Sequence, residues 1–336
     1  PEAILDRDIT VESARFIEAD LVHYPSGACA FVLSWNHILL DAKGTTLLFE
    51  HLNGLSENKP QDFSIFFPGK EKKTNIVTYI RNMYKVKAFV QRSSRPPVSS
   101  VACTAAKTNE GKTGTKIISF NEDETKKINA SAFKTGSRFG PTLYLVACCS
   151  HVINFLNRQK NKAGDIWLPI PYDGRLRGAA GPLISNTVSF LFYRIAAHEM
   201  DTVPQTVRSL SNQMTAQIKD GIPQKYTMFL NMMRHIPLWL YYFLVSRTGK
   251  GVFASFLYTS TGDNFNNLKS LFGEPIRSLN MIPALTFPPG LTFVFLKHDN
   301  ELHINIAYSP DVISNNDLHL IEEKIKEISE ELAASK

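Results

Sequence analysis

Two periods of apolar residues run along the chain. Residues 28–35, Ala-Cys-Ala-Phe-Val-Leu-Ser-Trp, form a continuous apolar run that predicts a strand buried on both faces. The run stops at Asn36-His37. Ile38–Asp41 then leads through Gly44 into a helix predicted over Thr45–Asn53 and closed by Gly54. From Asn75 to Val90 the apolar Ile76, Ile80, Met83, Tyr84 and Val90 recur at helical spacing among Arg81, Lys85 and Lys87, which predicts an amphipathic basic helix. A Ser- and Pro-rich loop (91–100) and an exposed linker or hairpin tip (106–115) follow. Lys116–Phe120 reads as a short strand. Asn121–Lys134 reads as a helix opened by Asn121 with acids in its first turn, and Thr142–Lys160 as a more apolar helix. Asp165–Pro171 and Asn186–Ile195 are extended, Val203–Asp220 is a helix, and Pro223–Arg247 is a very apolar helical segment kinked at Pro237. Ser255–Ser260, Leu291–Lys297 and Glu301–Ser309 read as strands, the last two joined in a hairpin at Asp299-Asn300. Ser314 caps a final helix striped with Leu318, Ile321, Ile325, Ile328 and Leu332. Alternating helices and strands with a late antiparallel hairpin predict an α/β fold of mixed sheets and helices. The pattern allows a boundary at 161–166 or at 172–185, and the division adopted is 1–162 and 163–336.

Composition narrows the class. With 336 residues, 43% apolar and 20% charged, the chain is neither disordered nor fibrous, and it suits two domains or one large one. The net charge of +6 matters only locally: between Lys70 and Arg95 eight basic residues face one acid, Glu71. Such an excess does not point to nucleic acid. It fits coenzyme A phosphates, an acidic carrier protein or an anionic membrane, and equally a solvated helix face. Ile236–Val245, with Trp239, Tyr241, Tyr242 and Phe243, reads first as core, with an acyl pocket or a membrane contact as alternatives; it is too short to span a bilayer. Cys29, Cys103, Cys148 and Cys149 form neither a disulfide framework nor a C-x-x-C pair, and residues 1–20 are too polar for a signal peptide. This suggests a cytoplasmic protein, with membrane association left open. The histidines lack partners at metal-ligand spacing, so no metal is expected.

The stretch richest in chemistry is Ser34-Trp-Asn-His-Ile-Leu-Leu-Asp-Ala-Lys-Gly44. A neutral His at a strand end can act as a general base near neutral pH. An Asp four residues on can orient it, or hold the turn through a cation. The plain alternative is a solvent-facing His beside an Asp at a helix N-terminus. A second stretch bears on the choice: Leu168-Pro-Ile-Pro-Tyr-Asp-Gly-Arg175, then Gly181-Pro-Leu-Ile-Ser-Asn186-Thr-Val-Ser-Phe-Leu-Phe-Tyr-Arg194.

Together the two stretches resemble the condensation-domain and chloramphenicol-acetyltransferase-like superfamily of acyltransferases. Its motif His-His-x-x-x-Asp-Gly is matched by Asn36-His37-Ile-Leu-Leu-Asp41-Ala42, and its second motif by Gly174-Arg175, Ser185-Asn186-Thr187 and Arg194. The closing hairpin and helix over 291–333 also fit, so the resemblance runs from about residue 20 to the end. Three departures stand out. Asn36 replaces the first His, Ala42 replaces the Gly with Gly44 two residues later, and only 36 residues precede the His. The first lobe is therefore read as incomplete or reduced at its N-terminus.

The resemblance implies two lobes around an active-site tunnel, with His37 as general base. It also implies an acyl thioester donor, either acyl-CoA or a phosphopantetheinyl carrier protein, and no bound cofactor. The acceptor would be a small-molecule or lipid alcohol or amine, with no covalent acyl-enzyme. Asp41 would pair with Arg175 to lock the turn. Asn36 and Asn186 would support it. Trp35, Gly44, Thr259 and Ser260 are the substrate-contact candidates, and the oxyanion donor would be either the backbone N–H groups after Asp41 or the hydroxyl of Ser260 or Thr259. Two other readings remain: a non-catalytic binding or scaffold domain, and a peripheral membrane protein.

Overall fold

The computed structural model describes residues 15–59, 75–101, 113–138, 140–162, 164–175, 183–233, 254–266 and 268–334, with positions 4, 7, 9, 235–237 and 239. The chain divides into two compact units. One comprises 1–71, 175–188 and 270–276, and the other 72–174, 189–269 and 277–336. The division expected at 162/163 lies within the second unit.

In the first unit, β1 (Ile17–His23) pairs antiparallel with β2 (Cys29–Trp35), from Ile17↔Trp35 to His23↔Cys29. β1 escaped the sequence reading because it alternates charged and apolar residues in a stretch taken as polar. Its Glu18, Asp20 and Val22 are half-buried while Ile17 and Leu21 are exposed. Arg7 donates to Asp20 Oδ2 at 3.0 Å and also reaches Glu18. β2, expected to be buried on both faces, is only half-buried. The reason is topological: among the described residues it belongs to a two-stranded sheet and has one strand neighbour.

Helix α1 (Ala42–Ser56) starts three residues before the predicted Thr45, because Asp41 caps it by accepting from Gly44 N–H, and it continues past Gly54. The strand pair β7 (Ser270–Leu271) and β8 (Glu274–Pro275) is tied to this helix by Asn53. Its amide donates to Ser270 O at 2.6 Å and accepts from Phe272 N–H at 2.7 Å. Phe31 of β2 packs edge-on to Phe49 and Phe272.

The second unit is built on a four-stranded mixed sheet in the order β3-β10-β9-β6. β3 (Gly114–Phe120), β10 (Glu301–Tyr308) and β9 (Leu291–His298) are antiparallel, and β6 (Leu257–Ser260) runs parallel to β9. Asp299 and Asn300, both at positive φ (49° and 65°), make the two-residue hairpin turn that the sequence predicted. β4 (Ile166–Asp173) and β5 (Val188–Ile195) form a second sheet.

Helix α4 (Thr142–Gln159) is buried along nearly its whole surface, its Val146, Cys149, Val152 and Ile153 lying in one core with Phe293, Phe295, Ile304 and Ile306. Helices α3 (Glu122–Lys134), α5 (Val203–Lys219) and α7 (Asn315–Ala334) complete that core through Ile128, Val207 and Ile321. Helices α2 (Ile76–Ser93) and α6 (Ile222–Met233) close a second core of Val86, Trp167, Phe192 and Ile222. α6 ends at Met233, Pro237 lies outside it and Trp239 is again helical, so the expected helical segment is interrupted ahead of the proline. Most of 236–245 lies outside the described residues, as does 106–112 of the expected linker.

Candidate active site

The first unit brings the two motif stretches together around Asp41. This carboxylate is 6% exposed and accepts four hydrogen bonds. Oδ1 takes Gly44 N–H at 2.7 Å and Arg175 Nη2 at 2.8 Å. Oδ2 takes Arg175 Nη1 at 3.0 Å and Thr187 N–H at 2.9 Å. The guanidinium fork is thus bidentate, the strongest form of ion pair a buried carboxylate can make. Arg175 also donates from Nε to Leu183 O at 3.0 Å and from Nη2 to Ser185 O at 2.7 Å. One carboxylate therefore fixes the start of α1, and one guanidinium ties it to the segment around 183–187. The backbone partners Leu183, Ser185 and Thr187 went unpredicted, since main-chain groups leave no signature in residue identity.

Gly44 has a steric reason to be glycine. A Cβ there would lie 2.6 Å from Ser185 O and 3.2 Å from both Arg175 Nη2 and Asp41 Oδ1. Gly44, a candidate substrate contact, gives its N–H to Asp41 and leaves room for the close approach of Ser185. Trp35, the other candidate in this unit, is held by the same turn. Its indole donates to Leu40 O at 3.1 Å, and its ring packs with Leu40, Leu47 and Ile184, so it braces the turn from inside. Asn36 shapes the same turn: Oδ1 accepts from Ile38 N–H at 3.0 Å, and Nδ2 donates to Ile9 O at 2.9 Å.

His37 sits on this turn, exposed, between Asn36 and the buried Leu40. Asn186 is its partner: Nδ2 donates to His37 O at 2.6 Å and lies 3.4 Å from Nδ1. The amide orientation is set by Val188 N–H, which donates to Asn186 Oδ1 at 3.1 Å. The amide NH2 thus faces the imidazole. The 3.4 Å separation is too long to hold one tautomer firmly. Among the described residues Nε2 makes no hydrogen bond.

No protein-family model matches the chain, and no curated protein matches it in sequence. Solved structures match it in fold. The first condensation domain of the CDA synthetase aligns with a TM-score of 0.61 at 16% identity, over 95% of this chain and 68% of that one. The chain has the condensation-domain fold. The trichothecene 15-O-acetyltransferase from Fusarium sporotrichioides aligns with a TM-score of 0.66 at 14% identity, over 95% of this chain and 71% of that one. The epimerization domain from the third module of tyrocidine synthetase B gives 0.58 at 11%, over 95% and 72%. The mixed α/β architecture expected from the sequence is therefore present. Structures of this fold carry condensation, acetyl-transfer and epimerization names, so the reaction has to be argued from the site.

The remaining candidates of this condensation-domain fold belong to the second unit. Thr259 and Ser260 are half-buried on β6, and Ser260 Oγ accepts from Gly262 N–H at 3.2 Å. Arg194, the last residue of the second motif, bonds Asp165 and the carbonyls of Ser93 and Arg95, a structural tie across the unit. Burial pushes the Cys148 thiol up to about 12 and Cys149 well above its usual range, so neither is a thiolate at neutral pH. Among the described residues no group of His, Cys, Asp and Glu is arranged to hold a metal ion, and no helix is long and apolar enough to cross a membrane.

Proposed function

We propose that the chain is an acyltransferase that moves an acyl group from a CoA or carrier-protein thioester to a hydroxyl or amine, with His37 as general base. One observation carries this reading. A buried Asp41–Arg175 pair, bonded to two chain segments, holds a turn on which the His37 imidazole is exposed, its Nε2 making no hydrogen bond among the described residues. The fold, shared with condensation domains and an acetyltransferase, supports the same reaction class.

In this mechanism the proton of neutral His37 resides on Nδ1. Nε2 takes the proton of the acceptor O–H or N–H as that atom attacks the thioester carbonyl. The tetrahedral oxyanion collapses, the C–S bond breaks, and the thiolate recovers the proton from Nε2 of the imidazolium. The products are an ester or amide and a free thiol. Asp41 takes no proton, because its lone pairs are held by Arg175, Gly44 and Thr187.

A second reading, a non-catalytic binding domain, is favoured by one detail. The Asn186 amide approaches Nδ1 with its donor side, which suits a proton on Nε2 rather than on Nδ1. A panel of acyl-CoAs and acylated carrier protein, mixed with pooled alcohols and amines, separates the two. Acceptor-dependent thiol release supports the transferase. No release from any donor supports the binding domain.

A further inference from the structure

The second unit carries a surface that the proposed chemistry does not use, on α2. One side of this helix is buried: Val86, Phe89 and Val90 pack against Trp167, Phe192, Ile222, Tyr226 and Phe229. The opposite side would be polar on an ordinary two-faced helix. Here it exposes Ile76 (67%), Val77 (69%), Ile80 (58%) and Tyr84 (75%). At 100° per residue these four fall within one arc of about 100°. Arg81, Arg92 and Lys85 follow on one flank of that arc, and Lys87 lies within it. Single exposed apolar residues such as Phe133 or Ile218 are ordinary, but four on one helical stripe are not.

Along the sequence the charge of this helix has one sign. Residues 72–95 hold seven Lys and Arg and no acid. The helix packed beneath, α6, begins a second acid-free stretch: residues 221–262 hold four Lys and Arg and no Asp or Glu. The two helices are joined by Tyr79 Oη, which donates to Met228 O at 2.6 Å. Trp239, six residues after α6 ends, is 71% exposed.

We propose that the exposed Ile76–Ile80–Tyr84 stripe of α2, with Arg81, Lys85, Lys87 and Arg92, docks the protein on an anionic lipid surface. The apolar stripe would enter the boundary between headgroups and acyl chains while the cations meet lipid phosphates and carboxylates. A soluble acidic protein that matched only the charge would leave the four large apolar side chains in water. A lipid surface satisfies both halves of the pattern. This docking does not depend on the acyltransferase reading, since His37 belongs to the other unit.

Co-sedimentation of the whole protein with phosphatidylcholine vesicles, with and without phosphatidylserine, tests it. Binding is expected only with phosphatidylserine and should fall at high salt. Each cation contributes about fivefold, so Arg81→Gln with Lys85→Gln should weaken partitioning about 25-fold. Ile80→Asn with Tyr84→Asn should weaken it too, and because these side chains are exposed the thermal midpoint should hold. His37→Ala should bind as wild type. Equal binding to neutral vesicles, no binding to phosphatidylserine vesicles, or indifference to both double variants would each overturn the proposal. So would self-association or carrier-protein binding that both double variants abolish while the vesicles are ignored.

Discussion

Replacing Gly44 by Ala probes the whole constellation with one carbon. The added Cβ would sit 2.6 Å from Ser185 O, a backbone atom that cannot rotate away. Reaching an ordinary contact of about 3.5 Å requires α1 and the 185 segment to separate by about 0.9 Å. That same displacement pulls on the Arg175 Nη2 bonds to Asp41 Oδ1 (2.8 Å) and Ser185 O (2.7 Å). Overpacking of this kind costs about 1–3 kcal/mol. Weakening one charge-assisted hydrogen bond adds up to about 1.5–3 kcal/mol. Against this, Ala in place of Gly in a helix gains about 1 kcal/mol. The net expectation is a loss of about 1.5–5 kcal/mol when the hydrogen bond is weakened in full, read as a lower urea midpoint at unchanged slope. Acyl transfer should fall with it, because the turn carrying His37 loses its anchor. A Gly44→Ala protein that is more stable than wild type would refute the close approach at Ser185 and the scaffold built on it.

Other outcomes follow from the same geometry. Arg175→Met leaves the Asp41 carboxylate buried without its cation and should cost about 3–5 kcal/mol, whereas Asp41→Leu combined with Arg175→Met should recover much of that loss in urea titrations. Thr187→Val should be neutral or slightly stabilising in the same titration, since Thr187 Oγ1 is buried without a hydrogen-bond partner. Burial holds the His151 imidazole, 3.0 Å from Thr206 Oγ1, below its ordinary value of 6.5. The unfolded chain therefore binds the proton more readily. The stability contributed by neutral His151 is present above pH about 6.5 and is lost as pH falls through its lower folded value. Thermal midpoints should drop between pH 7.5 and 5.5, and His151→Gln should flatten part of that drop.

Periodicity showed in the sequence wherever one face of an element met a core. Helices α3, α4, α5 and α7 and the β9–β10 hairpin were legible because their apolar stripes or their Asp299-Asn300 turn are local signals. β1 was not, because its half-buried face carries Glu18 and Asp20, held by Arg7 rather than by apolar packing. The parallel β6–β9 pairing joins residues more than 30 positions apart, and no local pattern encodes that. At the site, His37, Asp41, Arg175 and Asn186 were legible as residue types in two motifs, and the first unit does bring them together. The contacts that Trp35 and Gly44 make within the chain were not. Trp35 donates to Leu40 O across a local turn, and Gly44 makes room for Ser185 O far along the chain; residue identity alone carries neither contact.

The central claim is that the Asp41–Arg175 scaffold presents His37 as the base of acyl transfer. The most direct test is the rate of acylated product formation by His37→Ala against wild type, with the best thioester donor and equal folded fractions. General-base catalysis of this kind contributes about 10²–10⁴-fold, so the variant should lose about that much. A His37→Ala protein that transfers acyl groups within tenfold of wild type would contradict the claim.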